Sequence, residues 1–132
     1  MHVVAAPDKF RGTASALEVA TAVERAVAEH GGTTAVLPMA DGGEGTLEAL
    51  GGPNQTSLVT GPLGGLIEAP WQLTGTTAII EMAKASGLIT IGGPEFNEVL
   101  NATSAGTGEL ILSAVEHGAT RIIVGLGGSA ST

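Results

Sequence analysis

The chain has 132 residues, 43% of them hydrophobic, with five Lys and Arg against thirteen Asp and Glu and a formal net charge of −8. That length suits about one domain of the usual ~100–150 residues, and the hydrophobic content excludes a disordered chain. The acid excess excludes a basic nucleic-acid-binding face, the absence of Cys excludes disulfides and thiolate sites, and no apolar run reaches the ~18 residues of a membrane span.

In chain order, His2–Ala6 is a short apolar run that predicts a buried strand, ended by Pro7. Ser15-Ala-Leu-Glu18 fits a capping box. Apolar residues then recur with helical spacing at Leu17, Ala20, Val23, Ala26 and Val27, until Gly31-Gly32 stops the helix. Thr33–Leu37 predicts a second strand. The loop Ala40-Asp-Gly-Gly-Glu-Gly-Thr46 leads into a short helix to Leu50.

Gln55–Thr60 and Leu66–Thr74 predict two strands joined by Gly61-Pro-Leu-Gly-Gly65. So short a connection favours antiparallel pairing and sets residues 55–75 apart as an excursion from the main sheet. Thr77–Met82 is a third core strand, Ala83–Leu88 a brief helix, Ile89–Glu98 a loop, Ser104–Glu116 a helix and Arg121–Gly125 a fourth strand. Strand alternating with helix predicts an α/β fold with a doubly wound parallel sheet, whose ligands bind beyond the carboxyl ends of the strands. The polar loops that follow the four core strands are the candidate site.

Composition sharpens this. Phe10, Trp71 and Phe96 are the only aromatics, so small aliphatic side chains must fill the core. The 21 glycines cluster in short loops, which implies tight turns and close backbone approach. Cations are scarce, so Lys9 and Arg11 just ahead of a helix are a candidate anion grip, with Asp8 beside them. A solvated loop in which Asp8 pairs Arg11 is the plainer reading. Asp41 and Glu44, among three glycines and Thr46, suit Mg²⁺ or the removal of a proton from a substrate hydroxyl. Helix capping by Asp41 is the simpler account of that residue.

Gly125-Leu-Gly127-Gly-Ser-Ala130 fits G-x-G-x-x-A after a strand, the mark of a phosphate-binding turn or a dinucleotide site. No Walker motif is present. Glu81, Lys84 and Ser86 flank the end of the third strand, with Glu81 balanced between a paired buried carboxylate and a site residue. Thr103, Ser104 and Thr107 precede a helix, where capping competes with phosphate binding. None of His2, His30 and His117 is assigned a catalytic role.

Six segments together resemble the bacterial glycerate kinase family: Ala6-Pro-Asp-Lys-Phe-Arg-Gly12, Pro38-Met-Ala-Asp-Gly-Gly-Glu-Gly-Thr46, Gly61-Pro-Leu-Gly64, Ala78-Ile-Ile-Glu-Met-Ala-Lys-Ala-Ser-Gly-Leu88, Gly106-Thr-Gly-Glu-Leu110 and Ile122-Ile-Val-Gly-Leu-Gly-Gly-Ser-Ala130. The resemblance spans the chain. It implies ATP-dependent phosphorylation of D-glycerate with Mg²⁺, and two α/β domains, one flavodoxin-like. On that reading residues 1–54 and 76–132 are the flavodoxin-like domain, and residues 55–75 belong to an inserted second domain. Where the family often carries an Arg and a Pro, with an aromatic ahead of its Gly-Thr-Gly-Glu helix, this chain has Asn97, Val99 and Ala105.

The expected roles follow. Lys9 and Arg11 grip the glycerate carboxylate or the transferring phosphoryl group. Asp41 is the base or Mg²⁺ anchor, and Glu44 assists. Asp8, Glu44, Ser86 and Thr103 bind substrate, while Gly127, Gly128 and Ser129 line the nucleotide phosphates. The partners are glycerate and ATP, with neither nucleic acid nor membrane, in a cytoplasmic protein for which a homo-oligomer is left open. Because the chain stops inside the last turn, it is expected to be a truncated, N-terminal portion that is inactive alone. A nicotinamide-dependent oxidoreductase using Gly125 to Ala130, or a non-catalytic fragment of the kinase, are the competing readings.

Overall fold

The structure, a computed structural model, describes residues 1–10 and 13–131. The chain falls into two compact units, Met1–Asp41 and Gly42–Thr132.

The first unit is a strand–helix–strand: β1 (His2–Ala5), α1 (Ala16–Glu29) and β2 (Thr33–Val36). The strands pair in parallel, from His2 opposite Thr33 to Ala5 opposite Val36. The expected capping box is present. Ser15 Oγ accepts from the Glu18 amide at 3.2 Å, and Glu18 Oε2 accepts from the Ser15 amide at 2.8 Å. These bonds hold the Glu18 carboxyl below its ordinary range. At the other end the Gly31 and Gly32 amides bond back to Ala28 and Val27, closing the helix where the glycine pair predicted. Of the five apolar positions on α1, Ala20 and Val27 are buried and Val23 is half-buried, whereas Leu17 and Ala26 face outward.

The second unit carries α2 (Thr46–Ala49), β3 (Gln55–Thr60), β4 (Leu66–Thr74), β5 (Thr77–Glu81), α3 (Ala83–Ser86), α4 (Ala105–Glu116) and β6 (Arg121–Gly125). Its sheet runs β3-β4-β5-β6, antiparallel in the first two pairings and parallel between β5 and β6. The β3–β4 hairpin is therefore hydrogen-bonded into the same sheet as β5, through Gln72–Thr74 against Thr77–Ile79. The segment read as loop after residue 88 holds two 3-10 turns, Leu88–Ile91 and Pro94–Phe96, closed by short-range bonds such as Thr90 Oγ1 to the Gly87 carbonyl at 2.7 Å.

The core of this unit is built on Val59, Ala69, Trp71, Ala78, Ile80, Leu110 and Ala114. Trp71 is the one large aromatic among small side chains. It buries its ring completely and still satisfies its indole N–H on Ser57 Oγ at 3.0 Å. The molecule is thus mixed α/β, with one parallel and one mixed sheet. Among the described residues no helix is long and apolar enough to cross a membrane.

Candidate active site

In the first unit, parallel pairing continues past the named strands. The Leu37 amide bonds the Ala5 carbonyl at 2.8 Å, and the Met39 amide bonds the Pro7 carbonyl at 2.9 Å. This lays the loop after β1 alongside the loop after β2, at the carboxyl ends of both strands. Lys9 and Asp41, 32 residues apart in sequence, meet there: Lys9 Nζ donates to Asp41 Oδ1 at 3.0 Å. The lysine side chain is mostly buried and the aspartate mostly exposed. Asp8 turns its Oδ1 onto the Lys9 amide at 2.7 Å, which orders the backbone that carries the lysine. Arg11 lies outside the described residues, as does any pairing of Asp8 with it.

In the second unit, the segment Gly42–Glu44 packs backbone to backbone on the turn after β6. A Cβ on Gly125 would stand 2.8 Å from the Gly42 carbonyl oxygen, one on Gly127 would stand 2.7 Å from Gly43 Cα, and one on Gly128 would stand 2.7 Å from Glu44 Oε1. The glycines predicted to permit close approach thus approach each other's loops, and Glu44 comes to lie beside Gly128. On its other side the turn is held by the end of α3 and the two residues that follow it. The Leu88 amide bonds the Gly128 carbonyl at 2.9 Å, the Ala130 amide bonds the Ser86 carbonyl at 3.0 Å, and Gly87 bridges Ser129. Ser129 Oγ bonds within the turn, donating to the Ser131 carbonyl at 2.7 Å.

The remaining candidates separate. Ser86 is fully buried with its hydroxyl on Thr107 Oγ1 at 2.8 Å. Thr103 sits by the β3–β4 turn, its amide on the Pro62 carbonyl at 2.9 Å and its Oγ1 accepting from the Ala105 amide at 3.1 Å. Thr103 therefore serves the start of α4, while Ser104, the N-cap, makes no side-chain capping bond.

Capping of α2 does not fall to Asp41. Its N-cap is Gly45, in the left-handed region at φ 91°. The acceptor is Glu81 from the end of β5, whose Oε2 takes the Gly45 amide at 3.1 Å and the Leu47 amide at 2.9 Å. Burial pushes the Glu81 carboxyl above the ordinary range; the Leu47 N–H, Lys84 and the Gly45 N–H pull it back. A charged residue closing the apolar run Thr-Ala-Ile-Ile-Glu was the sequence signal for this role. Two further contacts carry weaker signals. Glu109 takes both the amide and the hydroxyl of Thr60, at 2.6 and 2.8 Å, fixing α4 to β3 and holding its own carboxyl below the ordinary range. Asn97 donates to the Ala130 carbonyl at 2.8 Å, securing the turn after β6 from a third side.

The sequence profile of the Glycerate kinase family matches residues 3–132. The chain is 48% identical over 139 aligned residues to the "Glycerate 2-kinase" of Escherichia coli K12, covering 99% of this chain and 36% of that protein. It is 44% identical to the "Glycerate kinase" of Bacillus subtilis 168, with the same coverage. A crystal structure from Salmonella typhimurium LT2, provisionally named glycerate kinase 2, superposes with a TM-score of 0.79 at 45% identity, covering 99% of this chain and 37% of that one. The chain spans about a third of the length of the relatives it matches, and over that span it belongs to the glycerate kinase family.

Proposed function

We propose that the protein phosphorylates D-glycerate from ATP to a phosphoglycerate. The observation that carries this is the Lys9–Asp41 pair at the carboxyl ends of parallel strands, in a chain of the glycerate kinase family. Phosphoryl transfer asks mainly for positioning and charge neutralisation. Lys9 supplies an ammonium for the glycerate carboxylate or the transferring phosphoryl group, and Arg11 is assigned the same task. Asp41, exposed and adjacent, takes the proton of the attacking hydroxyl or anchors Mg²⁺, and Asp8 orders the lysine. Gly127, Gly128 and Ser129 line the nucleotide phosphates, with Glu44 beside them.

Among the described residues no three His, Asp or Glu side chains are grouped to hold a metal alone. Mg²⁺ commonly takes one or two carboxylates and completes its shell with water and substrate phosphates. Asp41, exposed in the first unit, and Glu44, half-buried in the second, are each a carboxylate donor of that kind, so each fits as a single Mg²⁺ ligand. When bound, Mg²⁺ would neutralise phosphate charge. Thr103 and Ser86 complete the proposed substrate contacts; a contact by Ser86 requires its bond to Thr107 to open. In the same reading residues 1–54 and 76–132 contribute to a flavodoxin-like, doubly wound domain. Residues 55–75 contribute to an inserted second domain, joined to the first through the β4–β5 ladder.

The test is a coupled assay of ADP release from ATP and D-glycerate, run on the natural protein and on its Lys9→Met and Asp41→Asn variants. Losses of about a hundredfold or more in kcat are expected for each variant. Wild-type rates in both variants would overturn the site, and no glycerate-dependent ADP release from the natural protein would overturn the function.

A further inference from the structure

Within the loop that carries Glu44, the Thr46 hydroxyl donates to the Gly43 carbonyl at 2.7 Å, and the Thr46 amide bonds the same oxygen at 3.2 Å. The helix that follows, α2, has four residues, far short of what sustains a helix alone. Its N-cap is a glycine without a side-chain acceptor, and residues 51 and 52 behind it are glycines at positive φ. Two contacts distant in sequence add to these local bonds. One is the glycine packing of Gly43 on Gly127. The other is Glu81, reaching from the end of β5 to the Gly45 and Leu47 amides.

Glu81 is fully buried and its Oε2 is engaged on the two loop amides, so its action on the reaction runs through the loop. Its two oxygens are used unequally. Oε2 accepts both N–H groups, whereas Oε1 is buried without a hydrogen-bond partner. Lys84 Nζ stands 3.9 Å from that oxygen but bonds Glu48 Oε1 at 2.9 Å. One acceptor oxygen at the correct reach is what the loop uses.

Resting on the kinase reading above, we infer that Glu81 is a positioning residue of the reaction: it clamps the Gly45 and Leu47 amides so that the Gly42–Glu44 loop stays seated on the Gly127–Gly128 turn, and it does so by reach rather than by charge. A side chain of the same length with one neutral acceptor oxygen serves. A shorter carboxylate, one methylene back, cannot meet both amides.

The contrast between Glu81→Gln and Glu81→Asp tests this, with two readouts on the natural protein. The first is amide hydrogen exchange of residues 42–50 compared with the β3–β6 sheet. The second is the separate kcat and glycerate KM. Glu81→Asp is expected to speed exchange at Gly45 and Leu47 at least tenfold while the sheet stays protected, and to lower kcat about a hundredfold with KM changed less than threefold, as a reactive group displaced by about 1 Å would. Glu81→Gln is expected to keep both within about threefold of wild type. The inference is overturned if Glu81→Asp keeps wild-type kcat, if Glu81→Gln falls as far as Glu81→Asp, or if protection is lost evenly over the whole sheet. Should the natural protein not phosphorylate glycerate, the kinase reading fails and the exchange readout alone decides the clamp: selective loss in the Asp variant upholds it, and unchanged exchange overturns it.

Discussion

Gly127 and Gly43 meet so closely that a Cβ on Gly127 would stand 2.7 Å from Gly43 Cα and 2.9 Å from its nitrogen. Both obstructing atoms are backbone, so neither can swing aside as a side-chain tip would. Together with Gly125, whose Cβ would stand 2.8 Å from the Gly42 carbonyl oxygen, this missing side chain sets the spacing of the two loops.

Gly127→Ala should therefore destabilise the second unit by about 1–3 kcal/mol, the usual cost of overpacking. Gly108→Ala on α4 is the matched control. Nothing lies within 4 Å of the added Cβ, and the site is helical, so the same chemical change should stabilise by about 0.5–1 kcal/mol. Thermal melts followed by the fluorescence of Trp71, the only tryptophan, read both. Midpoints that move together would show that the Gly127 contact is not the constraint described.

The Ser86–Thr107 pair makes a second, independent prediction. The two hydroxyls bond each other at 2.8 Å out of contact with water, tying α3 to α4 beneath the turn after β6. Removing either alone, by Ser86→Ala or Thr107→Val, strands its partner and should cost about 1–3 kcal/mol. Removing both leaves no orphan, so the double variant should lose less than the sum of the singles. Urea unfolding of the four proteins gives the coupling directly, expected at about 0.5 kcal/mol or more. Additive losses would mean that the hydroxyls act separately.

These sites show what the sequence does and does not disclose. The capping box at Ser15 and Glu18, the glycine stops and the antiparallel turn at residues 61–65 are local, written into three to five consecutive residues, and they lie where expected. Apolar periodicity was less exact. It placed Leu17 and Ala26 inward on α1, where both face out, because periodicity marks a stripe and not which edge of it a neighbour covers.

The acidic loops were legible as chemistry but not as pairing. Asp41 was a plausible helix cap on spacing alone. In the structure it bonds Lys9, 32 residues upstream, and the cap is Glu81, 36 residues beyond Gly45. Partners that distant are decided by how strands register, which one chain's residue order does not display. The same holds for the β3–β4 hairpin. Its antiparallel turn was readable, while its hydrogen bonding to β5 was not.

Glu81 and Glu109 should give opposite pH dependences, which supplies the last prediction. For Glu81 the folded carboxyl lies above its ordinary value of 4.5, since burial disfavours the charge. Its contribution to stability is complete below that value and is lost as pH rises through the raised one. For Glu109 the folded carboxyl lies below 4.5 because the Thr60 amide and hydroxyl bond the charged form. Its contribution is present above 4.5 and is lost as pH falls through the lowered value.

Urea unfolding from pH 3 to pH 8, read by Trp71, should then show two crossing trends. Relative to Glu81→Gln, the wild type loses ground as pH rises above 4.5. Lys84 and Glu48, the charged groups beside Glu81, modulate that slope in opposite directions. Relative to Glu109→Gln, the wild type holds its advantage at neutral pH and gives it up in acid. A constant offset at every pH for either variant would mean that its carboxyl titrates alike in the folded and unfolded chains, and that the contact assigned to it does not act on its charge.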